Sequence, residues 1–189
     1  MHDAEALHDG GVEARQLLRV GIERALGVPD LVVFNVGTWD RGGILDLSPE
    51  LFERAWRTGC LAGFLVGRAA ARLMLPRGRG TIVFSGATGS LRGGSGFAAF
   101  AVPKFGLRAL AQSMARELGP QGLHVAHVVL DGMIAGADDG APSALAPAAI
   151  AAAYHDLHRQ PRSAWTHASS ARRRRPRRPR RDRARLEAC

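Results

Sequence analysis

The chain has 189 residues, 46% of them hydrophobic, enough for one domain with a sizeable buried core and too few for two. Its formal net charge of +9 suggests nucleic acid only until the charge is located: residues 171–189 hold ten arginines against Asp182 and Glu187, while the first 170 residues are nearly neutral. That distribution excludes a basic nucleic-acid-binding body, and two distant cysteines without a paired spacing exclude a disulfide or cysteine-metal scaffold.

The opening "MHDAEALHDGG" is acidic and polar rather than basic then apolar, and no apolar run approaches the roughly 20 residues of a membrane span. The sequence therefore reads as a cytoplasmic protein without membrane contact. Residues 12–26 place Leu18, Ile22 and Ala25 at helical spacing, and "GVP" stops that helix. The apolar, β-branched run "LVVFNVG" (31–37) predicts a strand buried on both faces, with Asn35 and Gly37 at its carboxyl end. Ser48 and Pro49 form an N-cap and first-turn pair for a helix over 49–75.

A strand follows over 81–86, then a glycine-rich loop (87–96), a helix to Leu118 and a strand over 123–130. Residues 131–146 are small and acidic, as either a substrate-covering loop or an ordinary connection would be. "PAAIAAAYHDLHR" predicts a last helix, with its tyrosine, Tyr154, packing, and "SAWTH" (163–167) the start of one more strand. From Ser169 the text is arginine and proline with little to bury, which predicts a disordered tail. The expected organisation is a domain over 1–167 and a tail over 168–189. Strands alternating with helices imply parallel βαβ units.

With these elements in place, the chain resembles the short-chain dehydrogenase/reductase family. The likeness runs from about Val12 to His167 and rests on "NVG", "GRGTIVFSGATG", "KFGLRALAQSMARELGPQGLHV" and "VVLDGMI" in the family's order. The resemblance implies a Rossmann-type sheet, an NAD or NADP cofactor, and hydride transfer to or from a small carbonyl or alcohol substrate. It implies cofactor contacts from Asn35, Gly37, Lys104 and Gly132.

In that family a tyrosine four residues before the lysine donates the proton, its pKa lowered by the ammonium, and one helical turn puts the two on one face. A serine thirteen positions earlier binds the substrate oxygen, and an asparagine in the preceding long helix supports a proton relay. Here Lys104 matches, but those positions are Phe100, Ala87 and Cys60. Asp131 stands for the family's proline and Gly136 for its threonine. Pro103, lacking an N–H, predicts a late helix start that would move Phe100.

The family's strand order is 3-2-1-4-5-6, and this chain opens just before strand 4. The expected fold is thus a partial doubly wound α/β sheet, strands 4 to 6 with a remnant of 7, without the glycine fingerprint that binds pyrophosphate. An impaired or inactive oxidoreductase is the first functional reading. The alternatives are a non-catalytic relative acting through protein contact, its helices 49–75 and 97–118 forming a homo-oligomer, and non-specific nucleic-acid binding by the tail. An out-of-frame translation of a GC-rich gene is the preferred reading of the tail, with the nucleic-acid-binding arm as its rival.

Overall fold

The structure, a computed structural model, describes residues 27–134 and 144–172. The expected helix over 12–26, Gly136, and the tail beyond Arg172 lie outside the described residues. Four strands form one sheet in chain order: β1 (Leu31–Phe34), β2 (Gly80–Ala87), β3 (Leu123–Asp131) and β4 (Ala168–Arg172). Every pairing is parallel, with Phe34 opposite Phe84, Ala87 opposite Leu130 and Asp131 opposite Arg172. Parallel neighbours need crossovers, and helices supply them. These are α1 (Pro49–Trp56) with α2 (Ala62–Met74), then α3 (Ala98–Leu118), then α4 (Pro147–His158).

Alternation along β2 sends side chains to two cores. Ile82 and Phe84 meet Phe34, Met74, Leu107 and Met114 under α2 and α3, whereas Val83 meets Val128, Ile150, Tyr154 and Leu157 under α4. Helices therefore cover both faces, which is the partial Rossmann-like arrangement. On the opposite edge β1 pairs with no strand other than β2 among the described residues.

The Ser48 hydroxyl accepts the Leu51 N–H at 3.2 Å, with Pro49 in the first turn, as the sequence indicates. The helix expected over 49–75 is interrupted by a π turn, Arg57–Leu61, and closes in a 3₁₀ turn, Leu75–Arg77. The π turn carries Gly59 against α3: a Cβ there would lie 2.9 Å from the Cβ of Pro103. The whole run Pro49–Arg77 is long and apolar enough by composition to cross a membrane, contrary to the sequence reading. Its Gly63, Gly67, Ala70, Ala71 and Met74 face is buried.

Two more expectations are corrected. α3 starts at Ala98 rather than late, so Pro103 lies in its sixth position, buried, and Phe100 stays helical one turn before Lys104. The last strand is Ala168–Arg172 rather than a continuation of "SAWTH", and it crosses the proposed boundary at 167/168 into the tail. Backbone pairing to His127–Asp131 accounts for it, since "ASSAR" has no strand pattern of its own.

Candidate active site

The carboxyl ends of β1, β2 and β3 lie side by side, and the residues that follow them wall a cleft of about 390 Å³. Asn35 and Gly37 come from the turn after β1, Ala87 ends β2, and Gly132 follows β3. Phe100 and Lys104 reach the cleft from the first turns of α3. Six of the seven residues singled out from the sequence thus meet in one place. Cys60 does not line this cleft. It sits in the π turn against α3, where a Cβ on Gly106 would lie 2.7 Å from its Sγ, and burial raises its thiol pKa.

Lys104 is only 8% exposed. Its Nζ donates to the Ser85 carbonyl oxygen at 3.0 Å, and a Cβ on Gly37 would stand 3.1 Å from that nitrogen, so the ammonium lies close beside the Gly37 backbone. Burial draws its pKa below the usual lysine value. On the other side of β2, the Ser85 hydroxyl shares a 2.6 Å hydrogen bond with the Tyr154 hydroxyl. Tyr154, the one tyrosine of the chain, is a core residue as expected, 6% exposed, and burial raises its pKa despite that bond.

Phe100 is fixed by its neighbours. A Cβ on Gly89 would come within 2.7 Å of its ring, and the Trp39 ring meets it edge-on with centroids 4.7 Å apart. Ala87 donates its own N–H to Ser90 Oγ at 3.1 Å, and Thr88 donates its hydroxyl to Asp131 at 2.6 Å. Neither Phe100 nor Ala87 offers a side-chain proton to the cleft.

β1 is shorter and less covered than the sequence predicts: of Leu31–Phe34 only Phe34 is buried and Val33 is 38% exposed, because no strand or helix covers that edge among the described residues. Two features escaped the sequence reading. Trp39, 60% exposed in the loop that follows β1, walls the cleft; a large aromatic in "GTWDRGG" was the available signal. His127, 1% exposed on β3, has no hydrogen-bond partner for either ring nitrogen among the described residues and lies against Gly86, where any Cβ would overlap the ring. Burial, together with the nearby charges of Arg108 and Lys104, brings its pKa down to about 4. A second cleft, about 350 Å³, lies at the opposite ends of the strands between Asp30, Arg79, His158 and Trp165. Ligands of open parallel sheets bind at the carboxyl ends instead.

A parallel sheet covered by helices on both faces, with its cleft beyond the carboxyl ends of the strands, defines the Rossmann class of α/β domains. The family profile described as enoyl-(acyl carrier protein) reductase matches residues 14–164, and the chain belongs to the short-chain dehydrogenase/reductase family. A solved short-chain dehydrogenase from Rhodopseudomonas palustris is 50% identical, with a TM-score of 0.68 over 77% of this chain and 62% of its own. L-rhamnose 1-dehydrogenase (NAD(P)(+)) of Azotobacter vinelandii is 34% identical over 70% of this chain and 50% of its own length. Inactive 2-(S)-hydroxypropyl-CoM dehydrogenase 2 of Xanthobacter autotrophicus is 35% identical over 64% and 52%. The chain spans about half the length of these two curated relatives.

Proposed function

We propose that the cleft is the nicotinamide end of an NAD(P) site in a dehydrogenase/reductase whose proton-transfer step is impaired. The observation that carries this reading is the Lys104 ammonium, held by the Ser85 carbonyl beside Gly37 and facing a cleft with Asn35 and Gly132 on its walls. A compact ammonium in that position suits a ribose hydroxyl, and a guanidinium would not fit so close to the Gly37 backbone. Bound there, the nicotinamide supplies or accepts the hydride. The chain's own residues must then deliver or remove a proton at the substrate oxygen.

Lys104 can orient the ribose and place positive charge near the substrate oxygen. Phe100 has no phenol for that charge to activate, and Ala87 has no hydroxyl to hold the oxygen. General acid–base catalysis is worth about 10² to 10⁴ in rate, and an oxyanion donor about 10² to 10³. The two losses act on one oxygen and need not multiply. The name of the Xanthobacter relative, which calls it inactive, is in keeping with a family that holds non-catalytic members.

Titration of the full chain with NADH and NADPH, followed by nicotinamide fluorescence, tests the reading. Saturation no tighter than about millimolar is expected, because the described residues supply contacts for the nicotinamide end alone. Ordinary turnover of a carbonyl with NADPH would contradict the impairment.

A second reading, contact with another copy of the chain, draws on Trp56, Phe64, Val66, Val102 and Phe105, large apolar side chains 38–43% exposed on α1, α2 and α3. Scattered single apolar residues are ordinary, but a cluster on adjoining helices suits an interface. Light scattering of the purified chain distinguishes the two: a dimer supports this surface, and a monomer at high micromolar concentration counts against it.

A further inference from the structure

Next to the reaction cleft lies a second pocket of about 400 Å³, and Trp39 and Phe100 wall both. Three rings form its aromatic side. The Trp39 and Phe97 centroids are 5.5 Å apart at 70°, Trp39 and Phe100 4.7 Å at 65°, and Phe97 and Phe100 6.4 Å at 64°. Gly89, Gly93 and Gly94 also line it; Gly89 and Gly94 pack directly on the Phe100 and Phe97 rings, and Gly93 has open space where a side chain would stand. Such a pocket takes a flat group: tilted rings meet its edges and faces, and the open space at Gly93 leaves room beside them.

Three rings in this arrangement suit either a neutral aromatic group or an alkylammonium ion, and charge decides between them. Arg92 lines the pocket, and the Arg41 guanidinium already covers the Phe97 ring at 4.5 Å. Lys104 adds positive charge in the adjoining cleft. Among the described residues no carboxylate lines the pocket; Asp131, bonded to the wall residue Thr88, takes that hydroxyl's hydrogen. A cation would meet two arginines and a lysine, whereas a carboxylate gains Arg92 as a partner.

We propose that this pocket binds a planar aromatic group bearing a carboxylate, and that Phe100 has become a stacking wall for it where the family carries its proton donor. Because the two pockets share Trp39 and Phe100, a molecule seated by its ring here extends its oxidisable or reducible carbon into the cleft beside Lys104. The name substrate rests on the nicotinamide reading above; binding of the aromatic acid does not, and it is measured with no nicotinamide present.

The test is isothermal titration of the full chain with 2-naphthoate, 2-naphthylmethanol and 2-naphthylmethylammonium. Saturable one-to-one binding of 2-naphthoate is expected, with the ammonium probe about tenfold weaker or more. Trp39→Leu is expected to weaken 2-naphthoate about tenfold, and Arg92→Gln about fivefold for 2-naphthoate while leaving 2-naphthylmethanol unchanged. Both side chains are exposed, so both variants are expected to keep the parent's circular dichroism and melting curve. Absence of saturable 2-naphthoate binding, equal binding of the ammonium probe, or folded variants with unchanged affinity would each overturn the proposal. A chain that binds 2-naphthoate but neither nicotinamide cofactor keeps the pocket and loses the nicotinamide reading instead.

Discussion

The Lys104 ammonium and the Ser85 carbonyl oxygen are joined by a 3.0 Å hydrogen bond at the carboxyl end of β2, so the one lysine of the chain is tied to the sheet it faces. A buried ammonium with one hydrogen-bond partner among the described residues contributes little to stability, because desolvation offsets the attraction. Lys104→Met preserves the stem and removes the charge. Urea unfolding is expected to show a change within about 1 kcal/mol, while nicotinamide binding is lost. A loss of several kcal/mol would mark Lys104 as a structural residue.

Phe100→Tyr places a phenol one helical turn before that ammonium. The chain then has two phenols, and burial raises the pKa of the natural one, Tyr154. The introduced phenol is expected to ionise about one pH unit or more below the ordinary tyrosine value. Spectrophotometric titration at alkaline pH reads this without any substrate. A first transition at or above the ordinary value would show that Lys104 does not act on position 100.

His127 makes stability depend on pH. Its pKa falls from 6.5 unfolded to about 4 folded, so between those values the unfolded chain binds a proton that the folded chain refuses. Stability is full above pH 6.5, declines as the pH drops through the window, and levels off below about 4. The loss attributable to this ring between pH 7.5 and pH 5 is about 2 kcal/mol. Denaturant midpoints at the two pH values should converge in His127→Leu relative to the parent. An unchanged pH dependence in the variant would place the titration elsewhere.

Tyr154→Phe leaves the buried Ser85 hydroxyl without its 2.6 Å partner. The expected cost is about 1 to 2 kcal/mol in urea unfolding. Nicotinamide and 2-naphthoate binding should not change, since Tyr154 packs in the core on the α4 side. A loss of either ligand in the folded variant would make Tyr154 part of the site.

Much of the site was legible because strand order and motif spacing fix it together. Asn35, Gly37, Ala87, Phe100, Lys104 and Gly132 follow strand ends or open a helix, and parallel pairing brings those points to one edge. Cys60 shows where spacing stops being sufficient: the π turn around it adds a residue to the helical repeat, and hydrophobic periodicity gives no sign of that turn. Pro103 misled for a related reason. Its cost to the helix is local, but its burial against Gly59 is tertiary and favours keeping the ring inside α3. β4 was placed too early because Ala168–Arg172 is held by the β3 backbone, and side-chain pattern carries no record of such pairing.

Saturation-transfer NMR of NADPH with the full chain shows most directly whether this cleft receives the nicotinamide end of NAD(P). The expected result is strongest transfer to the nicotinamide and its ribose protons, weak transfer to adenine, and loss of both in Lys104→Met. Transfer dominated by adenine, or unaltered by that substitution, would contradict it.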